Sequence, residues 1–149
     1  GRDWKFPDGS SYIRYLLQFI TSEVKNDITF LGPVSNDKVP SLVEEAAVCV
    51  YPSHMEAMPL AWIEVMKMGK AFVASKTGPG PELIKDGVTG LLCDPYNPAD
   101  IAEKTISILN DKTFAERLGR NARLDVLNRF DAEKILQQNI SLYQSALEQ

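Results

Sequence analysis

The stretch Tyr51-Pro52-Ser53-His54-Met55-Glu56-Ala57-Met58-Pro59-Leu60-Ala61-Trp62-Ile63-Glu64-Val65-Met66-Lys67-Met68-Gly69 decides the fold. It follows a short apolar, β-like run, Val48 to Tyr51, and from about Ala57 its apolar residues stop alternating and fill a segment long enough for a helix. A strand therefore ends, turns and feeds a helix. Only Glu64 and Lys67 are charged in that helix, the composition of one packed on several sides. Glu64 stands out against this background. A carboxylate taken from water without partners costs several kcal/mol, roughly, so it must be paired, reach an edge, or face a cleft where a ligand supplies donors. Glu56 sits eight positions earlier, in the turn itself. The first amides of a helix lack internal partners and carry the positive end of its dipole, so Leu60 and Ala61 are predicted to hold a phosphate between the two acids. Pro59 has no N–H and suits an early helical position.

Working outward, Gly1 to Ser11 is polar and turn-rich, and Tyr12, Ile13, Leu16, Leu17 and Ile20 recur at helical spacing. A strand is predicted at about Ile28 to Leu31, ending at Gly32-Pro33. A short helix is predicted near Val39 to Ala46, opened by Ser35-Asn36-Asp37. Beyond the central helix come a strand at Ala71 to Ser75, a Gly/Pro-rich turn, a short helix from Pro81 and a strand at Val88 to Cys93. Strands and helices alternating in this way are βαβ units, which predicts a parallel sheet covered on both faces. From Asn97 the chain turns helical: about Pro98 to Leu109, Thr113 to Asn128 and Asp131 to Leu147, with Asn97 and Asp131 as N-caps. In open α/β sheets ligands bind beyond the carboxyl ends of the strands. The turns expected there are Gly32-Pro33-Val34, Ser53 to Pro59 and Thr77 to Pro81.

The 149 residues suffice for one well-buried core, and 44% hydrophobic with 24% charged residues is a globular composition. A net charge of -4 argues against a nucleic-acid binder, which needs a basic face, so any phosphate site is local. No apolar run reaches the roughly 18 residues of a membrane span, and the N-terminus does not read as a signal peptide. Cys49 and Cys93 fall outside metal and redox spacings, which predicts buried free thiols in a reducing cytoplasm.

The pattern Glu56-x₇-Glu64 within Pro-Ser-His-Met-Glu-Ala-Met-Pro-Leu-Ala-Trp-Ile-Glu-Val-Met-Lys-Met-Gly-Lys resembles the donor-site signature of retaining, GT-B fold glycosyltransferases of family 4, the glycosyl transferases group 1. The flanking Pro-Ser, the Pro-Leu between the acids, Val-Ala-Ser after the helix, Gly78-Pro79-Gly80-Pro81-Glu82 and Asp86 to Leu92 extend the resemblance over nearly the whole sequence. It implies a Rossmann-like parallel sheet with helices on both faces, the C-terminal half of a GT-B fold. Residues 1–149 would then be a nucleotide-sugar-binding domain lacking its first strand–helix unit, with the N-terminal acceptor domain outside this sequence. Gly1-Arg2 would align with the end of the second strand and not with the family's phosphate-contacting Gly-Arg.

The resemblance further implies that Glu56 holds hydroxyls of the transferred sugar and Glu64 the ribose hydroxyls. Backbone around Met58, Pro59, Leu60 and Ala61 would approach the distal phosphate, Gly32-Pro33-Val34 would meet the base, and Gly78 would lie near the donor sugar. A nucleotide-diphosphate sugar is then the substrate, a glycan, lipid or small molecule the acceptor, and neither metal nor cofactor is required. The location implied is cytoplasmic, with attachment to the inner face of a membrane left open. Two departures bear on the site. Ala57 stands where the family usually has Gly, which predicts a shifted turn, and Pro79 stands for a second Gly, which predicts a stiffer loop.

Each residue has a structural alternative. Glu56 could serve as a helix-dipole partner, Glu64 as an ion-pair partner of Lys67, Glu82 as a cap, and His54, Trp62 and the methionines as packing. The competing functions are the corresponding half of a GT-B nucleotide-sugar epimerase or phosphorylase, or a non-catalytic α/β binding module. The last helix carries more apolar residues than one contact with a sheet uses. Leu136, Ile140 or Tyr143 is therefore expected to be exposed in an isolated monomer, or buried in a dimer or crystal contact.

Overall fold

The computed structural model describes residues 2–147, so Gly1, Glu148 and Gln149, with the expected register of Gly1, lie outside the described residues. The chain divides after Leu42 into two compact units.

In the first unit a tight hairpin is closed by Tyr12 N–H to the Trp4 carbonyl (2.9 Å) and Phe6 N–H to Ser10 (3.0 Å), turning at Gly9 with φ 81°. Asp8 accepts from both the amide and hydroxyl of Ser10, the local bonding that makes Asp a turn residue. Helix α1 (Tyr12–Leu16) follows, with Ser11 accepting from the Arg14 amide as N-cap. It is shorter than its apolar spacing predicts, because Leu17–Phe19 tightens into a 3₁₀ turn. Residues 12, 15 and 19 share a helical face and meet Trp4 and Phe6 in a cluster of edge-on and stacked rings. Asp3 is held down to a pKa of about 2, first by the Ile13 amide and then by Lys5.

The strand expected at Ile28 to Leu31 is absent. Ile28 is extended (φ -107°, ψ 122°), but among the described residues the segment finds no ladder partner, and Ile28, Phe30 and Leu31 are exposed. An extended apolar run is a strand only when another strand takes its hydrogen bonds. Gly32 then adopts φ 67°, and Pro33 and Val34 line a surface cavity of about 590 Å³ with Leu31, Asp37 and Lys38. Ser35 precedes the turn Asn36–Lys38, and α2 (Val39–Glu45) leads into the second unit.

The second unit holds the sheet: β1 (Cys49–Tyr51), β2 (Phe72–Ser75) and β3 (Leu91–Cys93), all parallel, in the order β1-β2-β3. The register sets Val50 opposite Val73 and Ala74 opposite Leu92. All four residues of β2 are buried, as a central parallel strand requires. Ala71, Val73, Leu91 and Cys93 pack with Ile108 and Leu118 of α5 (Pro98–Asn110) and α6 (Lys112–Arg129). Phe72 and Ala74 alternate to the opposite face and are buried too, so both faces are covered. The expected α/β architecture is the one found. Both cysteines are buried and free, and burial pushes their thiols up.

Helix α3 (Leu60–Lys67) departs from expectation in two ways. It starts three residues later than its apolar run, because Pro59 sits outside the helix (ψ 86°) and the Leu60 amide closes a tight turn onto the Met58 carbonyl (3.0 Å). It is also packed on one side and not all round: Trp62, Val65 and Met66 are buried, whereas Leu60 is 64% exposed. Gly69 (φ 70°) and Lys70 end it by donating to Met66 and Val65, the paired bonds of a Schellman motif. Arg123 of α6 donates to the Lys67 carbonyl at 2.7 Å, further satisfying that end.

Helix α4 (Gly80–Leu83) starts near Pro81 as predicted, and Val88 and Thr89 lie in a turn preceding β3. Asn97 caps α5 through the amides of Ala99 and Asp100. Asp131 accepts from the Lys134 amide at the start of α7 (Ala132–Leu147). Leu136, Ile140 and Tyr143 are 50%, 39% and 70% exposed, as expected of a helix with surplus apolar surface.

Candidate functional site

Three loops leave the carboxyl ends of the three strands. The loop after β1 runs from Pro52 to Pro59, that after β2 from Lys76 to Pro79, and that after β3 from Asp94 to Asn97. Each is tied to the other two. Thr77 Oγ1 donates to the His54 carbonyl (3.1 Å), Lys76 pairs with Asp94 (2.9 Å), and the His54 ring stacks on Tyr96 (4.5 Å, 22°). The Lys76 ammonium, followed by the Tyr96 amide, holds the Asp94 carboxyl below the usual range, and Asp94 in turn raises Lys76. The Asp94 amide donates to Asp100 of α5 (2.7 Å), which anchors the third loop to a long helix.

Glu56 lies half-buried in the first loop. Gly78 (φ 57°) lies directly against it: a Cβ on Gly78 would stand 3.1 Å from the Glu56 carbonyl oxygen. The structure therefore brings these two sequence-predicted residues together. Ala57 does not adopt positive φ, so the turn forms with a residue other than glycine there. Pro79 fits with φ -75° just before α4, and a Cβ on Gly80 would run into the Ser75 carbonyl, so close approach dictates that glycine.

Of the two amides expected to face a phosphate, that of Leu60 is taken by Met58. The Ala61 amide has no acceptor among the described residues, nor has that of Met58. Pro59 supplies its carbonyl to Trp62 and Ile63 and closes the first turn. Glu64 is exposed, so it carries no burial cost, and among the described residues it forms no ion pair with Lys67. It lines a cavity of about 390 Å³ with Ile63, Val126, Phe130 and Asp131. Its charge also reaches Tyr51, whose phenol is pushed up to about 12 chiefly by burial, then by Cys49 and Glu64. Gly32, Pro33 and Val34 belong to the first unit; the site described here is the second unit's own.

Among the described residues Glu82 makes no capping bond through its side chain, and its carbonyl accepts from Arg129 (2.9 Å). Sequence reasoning placed Thr77 only within the turn Thr77 to Pro81 and did not single out Ser75, Lys76, Asp94 and Tyr96. Their signal is position alone: each ends a parallel strand or lies within three residues after one, where open α/β sheets place their sites.

The sequence model of the family described as Glycosyl transferases group 1 matches residues 11–125, and the chain belongs to this family. An uncharacterised glycosyltransferase of Methanocaldococcus jannaschii is 33% identical over 125 residues, 84% of this chain and 32% of the relative. N-acetyl-alpha-D-glucosaminyl L-malate synthase of Bacillus anthracis is 28% identical over 94% of this chain and 36% of its own length. The chain thus spans about a third of the relatives it matches. Among solved structures, sucrose-phosphate synthase from Thermosynechococcus elongatus superposes with TM-score 0.80 at 29% identity, over 96% of this chain and 37% of that one. Anabaena HepE in complex with UDP superposes with TM-score 0.83 at 29% identity, over 90% of this chain and 37% of that one. HepE has also been crystallised with UDP-glucose. Among the described residues no helix is long and apolar enough to cross a membrane.

Proposed function

We propose that this chain is the donor-binding half of a retaining, metal-independent glycosyltransferase that moves a hexose-type sugar from a nucleotide-diphosphate sugar to an acceptor. The acceptor, a glycan, lipid or small molecule, is held by an N-terminal domain, and the protein works in the cytoplasm. The observation that carries the reading is the placement of Glu56 against Gly78 beyond the carboxyl ends of parallel strands, a few residues before the amides of Met58 and Ala61, which have no acceptor among the described residues. The two amides suit a diphosphate and Glu56 suits sugar hydroxyls. HepE, a structural relative, binds UDP and UDP-glucose.

In this reading Glu64 accepts from the ribose hydroxyls, and Gly32, Pro33 and Val34 meet the base. The acceptor hydroxyl attacks the anomeric carbon from the face the diphosphate leaves. A new carbon–oxygen bond forms as the bond to the diphosphate breaks, and the acceptor proton passes to a phosphate oxygen. The chain's own residues orient the sugar and stabilise the departing charge.

The test is transfer by the complete enzyme across a panel of nucleotide sugars. Glu64→Ala is expected to weaken UDP binding roughly tenfold while kcat at saturating donor stays within about twofold, because ribose contacts are alike in ground and transition states. Unchanged UDP affinity in that variant overturns the ribose assignment. By calorimetry, residues 1–149 alone are expected to bind UDP-glucose with Kd in the millimolar range, since no cation is assigned to the diphosphate here. Micromolar affinity would show that the two amides and two acids suffice.

A further inference from the structure

Ser75 ends β2 and is fully buried. Its Oγ lies 2.7 Å from Thr77 Oγ1, and the Thr77 amide donates back to it at 3.3 Å. Thr77 Oγ1 lies 3.1 Å from the His54 carbonyl oxygen. An amide only donates and a carbonyl only accepts, so the order of protons follows. Thr77 N–H donates to Ser75 Oγ, Ser75 O–H to Thr77 Oγ1, and Thr77 O–H to His54. Both hydroxyls thus have a donor and an acceptor, and the relay runs from buried Ser75 through part-buried Thr77 to the exposed first loop.

The end of this relay matters for the site. His54 precedes Glu56 by two residues, and Gly78, directly after Thr77, lies against the Glu56 backbone. Two consecutive residues of the second loop thus hold the acid-bearing loop, one by a hydrogen bond and one by contact. The first loop has few other fixed points: among the described residues, Met58 and Ala61 spend no amide on it. Thr77 Oγ1 also lies 3.5 Å from the Ser53 carbonyl oxygen, Pro59 is buried at the loop's far end, and the His54 ring stacks on Tyr96, which is itself 69% exposed.

We propose that Thr77 is a positioning residue for sugar transfer, its hydroxyl fixing through the His54 carbonyl the loop that carries Glu56. The proposal rests on the reading of Glu56 as the group that holds the transferred sugar. Thr77 acts through that group, so its loss changes where the carboxylate stands and not what it is. Misplacement of a positioning group by about 1 Å costs up to roughly a hundredfold in rate.

The test compares Thr77→Val with Thr77→Ser in the complete enzyme. Valine keeps the branched shape and removes the hydroxyl, whereas serine keeps the hydroxyl. Two readouts are taken: backbone order parameters across residues 54–58 from NMR relaxation, and kcat beside UDP affinity. Thr77→Val is expected to lower the order parameters at 54–58 from about 0.85 to about 0.6 while α5 and α6 stay as in wild type. It is expected to lower kcat roughly 10- to 100-fold with UDP affinity within about threefold, and Thr77→Ser to restore both. Unchanged order parameters at 54–58 in Thr77→Val overturn the latch, whatever the activity. A looser 54–58 with wild-type kcat overturns the positioning role. If the wild-type enzyme transfers no sugar from any donor of the panel, the reading of the site fails and the role in transfer with it, while a looser 54–58 still establishes the contact.

Discussion

In the complete enzyme, Glu56→Gln is expected to lower kcat roughly a hundredfold, the size of one preorganised electrostatic contact at a reacting centre. UDP affinity is expected to move less than about threefold. Glutamine keeps the length of the side chain and one carbonyl acceptor, so the loop against Gly78 has no reason to move. What it loses is charge, and a charged acceptor makes hydrogen bonds about twice as strong as a neutral one. Hydroxyls of a sugar become better donors as positive charge builds at the anomeric carbon, so the loss falls mainly on the transition state. This separates Glu56→Gln from Thr77→Val: both lower kcat, but only the second should lower the backbone order parameters at 54–58. Equal kcat for wild type and Glu56→Gln at saturating donor would sink the catalytic role.

The strands β1 and β2 were legible because each is a short apolar run bounded by turn residues. The caps of α5 and α7 were legible because Asn97 and Asp131 stand just before apolar periodicity. Ile28 to Leu31 carries the same apolar signal as β1, yet no ladder forms among the described residues. The signal reports a residue's fitness for a sheet and not the presence of a partner. The packing of α3 differs from its composition for a related reason. A helix poor in charge predicts packing on several sides, but Leu60 and Ala61 are exposed, and Glu64 reaches a solvent-facing edge, one of the three placements left open to it. The pairing of Glu56 with Gly78 was foreseeable only as two turns at one end of a sheet. The ties that build the site join residues some twenty to forty positions apart, His54 with Thr77 and with Tyr96. No local periodicity encodes such pairs; the parallel topology creates them by bringing successive carboxyl ends side by side.

Gly119→Ala is expected to destabilise the protein by about 2–3 kcal/mol, the cost of overpacking a tight contact. Helix propensity alone predicts the opposite sign, since alanine in mid-helix is favoured over glycine by about 1 kcal/mol. The geometry decides between them. Gly119 is buried near the middle of α6, and a Cβ there would run into the carbonyl oxygen of Gly69 at the end of α3, with the carbonyl carbon also inside contact distance. Both obstructing atoms are backbone and cannot rotate aside. Gly69 in turn is fixed at φ 70° by the Schellman bonds that end α3. Relief therefore requires α6 to withdraw from α3, which loosens the burial of Trp62, Val65 and Met66 behind the site and shifts the helix that carries Glu64. Stability and UDP affinity should fall together in this variant, unlike Glu64→Ala, which touches only the second. Denaturant unfolding of the complete enzyme reads the first effect and calorimetry the second. A gain in stability for Gly119→Ala would show that the two backbones stand further apart than described here, and that propensity wins.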